Sequence, residues 1–149
     1  MFLLLLLSLI SPILAFDENT SDRIYFHTRV TCYSLRQELY NYEIVFVERD
    51  RVHGKPVYED VTARRQGHIL PGGETNFTAW GLITGGDQNK YYNIHARIQH
   101  NCERDGRSRV GTSPITTKCK VGAVGICHVW VDIHLAAEKA EVIKVEQSP

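Results

Sequence analysis

Four cysteines and seven histidines hold most of the reactive chemistry in this chain of 149 residues. Two pairings place a thiol near a base: His100 precedes Cys102 by two positions, and Cys127 adjoins His128. A cysteine nucleophile needs such a neighbour, because the thiolate attacks and an imidazole takes up the proton. In an oxidising compartment the same cysteines form disulfides instead, with three connectivities open. No serine or cysteine lies in a nucleophile-elbow pattern. Cys32, Cys102, Cys119 and Cys127 are therefore expected as disulfides, and the chain is not expected to be an enzyme.

His128, Asp132 and His134 share one face of an alternating stretch. Positions four to six apart on a strand are separated by roughly 13–20 Å at about 3.3 Å per residue. His128 and His134 therefore cannot share one ion, whereas Asp132 and His134 could with help from a neighbouring strand, such as His95. Solvated polar residues on a sheet face are the commoner outcome, so neither a metal nor a cofactor is expected. His100 falls on an inward face and reads as a hydrogen-bonded core or rim histidine. Gly72-Gly73, Gly85-Gly86 and Gly122/Gly125 lack the following Lys-Ser/Thr step of a phosphate loop.

The start of the chain addresses it to the oxidising compartment. Phe2 to Leu14 is an apolar run relieved only by Ser8, Ser11 and Pro12, and Ala15, Asp17 and Glu18 follow. It is too short to span a bilayer and reads as a signal peptide over residues 1–15, then a flexible segment over 16–22. The absence of Lys or Arg near the start and the bulk of Ile13 leave an uncleaved anchor as the alternative. The mature chain is expected to be secreted, with no membrane span. Asn19-Thr20-Ser21 and Asn76-Phe77-Thr78 are acceptor sequons, which makes Asn19 and Asn76 candidate glycosylation sites that must be exposed if used. Arg64-Arg65 has the form of a processing site, but a cut there would split the domain, so an exposed turn is expected.

Loss of 15 residues from 149 leaves about 134, enough for one domain and too few for two. The 17 basic and 17 acidic residues cancel, so net charge recruits neither nucleic acid nor an anionic membrane.

Period-two alternation marks the elements that must position these groups. The organising strand is Tyr91 to Cys102, with Ile94, Ala96, Ile98 and His100 inward and Asn93, His95, Arg97 and Gln99 outward. Ile24 to Cys32 and His128 to Leu135 alternate in the same way, with Tyr25, His27, Arg29, Thr31, His128, Trp130, Asp132 and His134 outward. Glu43 to Glu48 is apolar on both faces and suits a buried central strand. Val57 to Val61 follows Pro56 and belongs near an edge. Gln66-Gly67 reads as a turn into His68-Ile69-Leu70, which Pro71-Gly72-Gly73 stops. Phe77 to Ile83 is a further strand, Val110 to Lys118 a strand interrupted by Pro114, and Ala136 to Val142 has helical composition. Six to eight short strands at this spacing argue an all-β sandwich.

The ordered motifs resemble the secreted transthyretin-like family best known from nematodes, over about Arg23 to Ala140. The resemblance rests on the strand ending in Cys32 and on the apolar strand followed by Glu48, Arg49 and Asp50. It continues through Thr62, Gly67, Ile69, Gly73, Glu74 and Thr78, then Ile98-Gln99-His100-Asn101-Cys102 and Val131-Asp132-Ile133-His134-Leu135-Ala136. It implies a transthyretin-like (prealbumin-like) sandwich of seven or eight strands and an extracellular role, and no particular ligand; the expected layout is a disulfide-stapled domain over residues 23–142 and a C-terminal tail over 143–149. Family members commonly carry a third cysteine soon after the position of Cys102, and residues 103–109 have none. Their connectivity therefore does not transfer; Cys32–Cys102 and Cys119–Cys127 are expected, the second closing a short loop.

The resulting expectation is a secreted, non-catalytic binding or bridging protein for an extracellular protein, glycan or lipid. Tyr91, Tyr92 and Trp80 are the candidate anchors, since aromatics dominate interface energetics; rings that merely cover core edges are the commoner case. One alternative is carriage of a small hydrophobic ligand through an oligomeric channel. Another is a hydrolase of the hydroxyisourate type, whose tyrosine-arginine-glycine-serine C-terminus this chain lacks.

Overall fold

The computed structural model describes residues 21–35, 39–52, 55–84, 90–123 and 125–148. The expected signal peptide over 1–15 and the Asn19 sequon lie outside the described residues. The described residues form eight strands: β1 (Ser21–Thr31), β2 (Tyr40–Val52), β3 (Lys55–Ile69), β4 (Glu74–Thr84), β5 (Ile94–His100), β6 (Arg109–Ile115), β7 (Ile126–His134) and β8 (Lys139–Ser148). They form two four-stranded sheets in the orders β4-β1-β7-β8 and β3-β2-β5-β6. All pairings are antiparallel except β1 with β7.

The inward residues of both sheets make one core. Ile24, Phe26 and Val30 of β1 meet Ile44 and Phe46 of β2, with Ile94, Ala96 and Ile98 of β5 and Val129, Val131 and Ile133 of β7. Phe26 and Phe46, one from each sheet, stack with ring centres 3.9 Å apart. Burying a side chain of that size is worth roughly 1.5–3 kcal/mol. β2 is buried on both faces from Ile44 to Glu48, as its unbroken apolar run requires. Cys32 follows β1 and Cys102 follows β5, so their bond ties one sheet to the other. Cys119–Cys127 closes the short loop that leads into β7.

Several expectations need correction. Neither Arg64-Arg65 nor Gln66-Gly67 is a turn: β3 runs through both, pairing Arg64 with Val45, Arg65 with Ile44, Gln66 with Glu43 and Gly67 with Tyr42. A Cβ on Gly67 would collide with the Tyr42 ring, so the glycine serves close approach. Pro114 does not interrupt β6, because β6 is an edge strand that needs no second row of donors. The stretch expected as helical holds only a 3₁₀ turn, Leu135–Ala137, which Glu138 ends in the left-handed region at φ 50°. β8 follows at once, so residues 143–148 are the paired end of a strand and not a tail. Finally, Ser21 and Asp22 belong to β1 and not to a flexible segment, and Asp22 is buried. The Tyr92 hydroxyl donates to Asp22 Oδ2 at 2.5 Å and the Gly122 amide donates to the same oxygen at 2.7 Å, which satisfies that oxygen of the buried carboxylate.

Candidate functional site

The outward residues of β1, β4 and β7 fall into cross-strand rows because the three strands are neighbours. Trp80, Tyr25 and His128 make one row, Thr78, His27 and Trp130 the next, and Asn76, Arg29 and Asp132 the third. Ring centres step across the face from Trp80 to Tyr25 at 6.3 Å, to His128 at 5.0 Å, to His27 at 5.2 Å and to Trp130 at 4.7 Å. The Arg23 guanidinium lies 5.4 Å over Trp80 and the Lys144 ammonium 4.9 Å over Trp130. A cation over an aromatic face is attracted by the ring quadrupole, so both ends of the ring row are capped.

His27 Nε2 stands 2.9 Å from His128 Nδ1, and His27 Nδ1 stands 3.1 Å from Thr78 Oγ1. Two imidazole nitrogens at that distance share one proton, and charging both rings would set like charges against each other. Burial first and His128 second hold the His27 pKa below its ordinary value. Arg29 donates through Nε and Nη2 to the Asp132 carboxylate, which raises the Arg29 pKa. Between this ion pair and the rings lies a depression of about 530 Å³, bordered by Asn76, Thr78, His27, Trp130, Asp132 and Ile143.

The outer face of the other sheet carries a polar groove of about 580 Å³ among Asn41, Glu43, Gln66, His68, Gln99 and Asn101. Most of these groups bond one another. Gln66 donates to Glu43 at 3.0 Å, His68 Nδ1 stands 2.5 Å from Asn41 Oδ1, and the Asn41 amide donates to Asn101 Oδ1 at 2.7 Å. At one end of the sandwich Tyr33, Leu35, Leu39 and Leu70 are exposed. Their loops are joined by backbone bonds from Cys32 N to Gly73 O and from Gly72 N to Ser34 O, both 3.1 Å.

The three expected anchors separate. Trp80 is 56% exposed and sits at the head of the ring row. Tyr91, 40% exposed, stands apart from it before β5, bridged to Lys120 and covered by the Lys90 ammonium. Tyr92 is buried, with its hydroxyl committed to Asp22 and its pKa pushed up by burial first and that bond second. It is a core residue, and its place among the anchors is corrected.

Both thiol–base pairings dissolve, since all four cysteines are in disulfides. His100 Nδ1 accepts from the Cys102 amide at 3.1 Å, and its ring is buried, as a core histidine should be. Of the residues weighed for a metal, Asp132 pairs with Arg29 and His134 Nδ1 stands 2.8 Å from Thr31 Oγ1, while His95 lies in the other sheet. Among the described residues no three or more His, Cys, Asp or Glu side chains are grouped to hold an ion. Sequence reading missed the His27–His128 pair. Both residues occupy outward positions in alternating strands, but a parallel pairing of segments 101 residues apart leaves no local signal.

No protein-family model matches the chain, and no curated protein matches it. Among solved structures it is similar to a candidate cell-adhesion protein from Bacteroides ovatus, at 12% identity and a TM-score of 0.41. That match covers 87% of this chain and 45% of the other, so the chain spans under half of that protein's length. The lipoprotein TssJ1 of the type VI secretion system of Pseudomonas aeruginosa matches 87% of this chain over its whole length, at 11% identity and a TM-score of 0.37. At these values neither likeness bears on function. What the fold defines is an all-β, two-sheet sandwich with two disulfides, in which no described helix is long and apolar enough to cross a membrane.

Proposed function

We propose that this is a secreted, non-catalytic transthyretin-like protein that binds or bridges a partner outside the cell, with the Trp80 end of the ring-bearing face as its contact surface. The observation that carries the reading is the exposure of Trp80 and Leu82, 56% and 55%, on one face of the edge strand β4. An exposed aromatic–aliphatic pair on a rigid sheet is the kind of patch that marks an interaction site. The eight described strands fit the seven or eight that the family resemblance implies. The partner is an extracellular protein, glycan or lipid.

The test is saturable binding of labelled mature protein to intact cells. Trp80→Ala is expected to weaken binding about tenfold, since an aromatic hot spot is worth roughly 1.4 kcal/mol or more, and Leu82→Ser to weaken it by less. Unchanged binding by both variants would remove this surface from the proposal. The hydrolase alternative has one observation in its favour, the His27–His128 pair beside a depression. Turnover of hydroxyisourate that is lost in His128→Ala would replace the binding reading. The carrier alternative requires a stable tetramer in light scattering.

A further inference from the structure

Asn76 lies on the edge strand β4, exposed, with Thr78 two positions on and on the same outward side. An N-linked glycan attached there starts at the rim of the 530 Å³ depression rather than on a loop in open solvent. The depression offers what a sugar ring uses. Ile143 offers an apolar wall that is 61% exposed, Trp130 the edge of an indole whose faces meet His27 and Lys144, and the Arg29–Asp132 pair presents donors and acceptors at the near side. Its charges are already matched within the face, because Arg29 is paired with Asp132 and Lys144 with Glu146. A neutral ligand therefore suits the depression better than an ionic one. The volume falls in the range of small-molecule sites, roughly 300–1,000 Å³, which accommodates the first sugars of a glycan and not a protein segment of any length. Thr78 Oγ1 is engaged by His27, so the sequon is itself wired into the ring row.

We infer that Asn76 carries an N-glycan whose first residues fold back into this depression and pack on the edge of Trp130 and over Ile143. The inference rests on the proposed secretion of the chain. Trp80 lies four residues along β4 from Asn76, about 13 Å at 3.3 Å per residue. The glycan thus occupies one end of the face, leaves the Trp80 end open, and prevents a second copy from packing flat against the sheet.

The full chain is expressed through a secretory pathway, and the peptide containing Asn76 is mapped by mass before and after amidase removal of N-glycans. The thermal midpoint is then measured with and without the glycan in the native protein, in Trp130→Ala and in Ile143→Ser. Glycan removal is expected to lower the midpoint of the native protein by several degrees and to have much less effect in either variant. Nuclear Overhauser contacts from the first sugar's N-acetyl methyl group to the Trp130 indole are expected in the glycosylated protein only. An occupied Asn76 with equal effects of removal in all three proteins and no such contacts would overturn the docking. An unmodified Asn76 in a secreted product with both disulfides formed would overturn the inference while leaving secretion standing. A product retained in the cell with free thiols would overturn both.

Discussion

His100 shows how a single buried side chain couples the fold to pH. Its ring is buried, Nδ1 accepts from the Cys102 amide, and Nε2 lies 3.7 Å from Glu138 Oε1, beyond hydrogen-bond distance. Burial lowers its pKa below 6.5 and outweighs the raising influence of Glu138 and Glu103, with Arg109 acting in the lowering direction. His27 is shifted the same way, by burial and by His128. For both residues the unfolded chain binds a proton more readily than the folded one. Stability is therefore unpenalised above about pH 6.5 and is lost as pH falls from there through the folded pKa values. Calorimetry from pH 7.5 to 5.0 is expected to show a falling midpoint, and His100→Gln to flatten part of that fall. An identical slope in the variant would show that His100 does not titrate between the two states. The part that survives in His100→Gln should shrink again in His27→Ala, since His27 sits in the other sheet and titrates independently.

The two disulfides act on elements of very different reach. Cys32–Cys102 joins positions separated by 70 residues, and Cys119–Cys127 joins positions separated by 8. On the loop-entropy account the first is worth about 4 kcal/mol and the second about 2.5 kcal/mol. Denaturant unfolding should therefore show a larger loss for Cys32→Ala/Cys102→Ala than for Cys119→Ala/Cys127→Ala; the reverse order would place the main strain on the loop before β7. The same contrast of local and distant explains what could be read from the sequence. β1, β5 and β7 were legible because one face is core and the other solvent, which writes strict alternation into the chain. β3 was not legible as one strand, since Gly67 looks like a turn residue until Tyr42 is seen to lie over it. Pro114 reads as a break until β6 proves to be an edge, and the terminal strand was hidden behind residues of helical composition around Glu138. For the site, the outward placement of Trp80, His27 and His128 was legible, but their meeting on one face was not, because the parallel β1–β7 register is set by tertiary packing alone.

At the scale of the molecule, the sandwich is closed along its flanks by contacts between the sheets. On one flank the Ala140 amide donates to Ser113 Oγ at 2.9 Å, and Glu138 reaches across toward His100 and Gly111. On the other, Gly81 of β4 lies against the Thr62 backbone of β3 so closely that no Cβ fits. β8 is also the outer edge of its sheet, and exposed Lys139, Glu141, Lys144 and Glu146 line it with charge of both signs. Such charges discourage strand addition by another chain. Ending the chain after Val142 would remove Lys144 to Ser148, the partners of Trp130, Val129, His128, Cys127 and Ile126. It would strip half of β7 of its neighbour, expose the donors and acceptors of an apolar central strand, and take away two of the four charges that guard the edge. The truncated protein is expected to melt well below the full chain and to associate in light scattering at micromolar concentration. A truncated protein with the same midpoint and a monomer mass would mean that residues 143–149 behave as the tail their composition suggests, and that β7 is held by β1 alone.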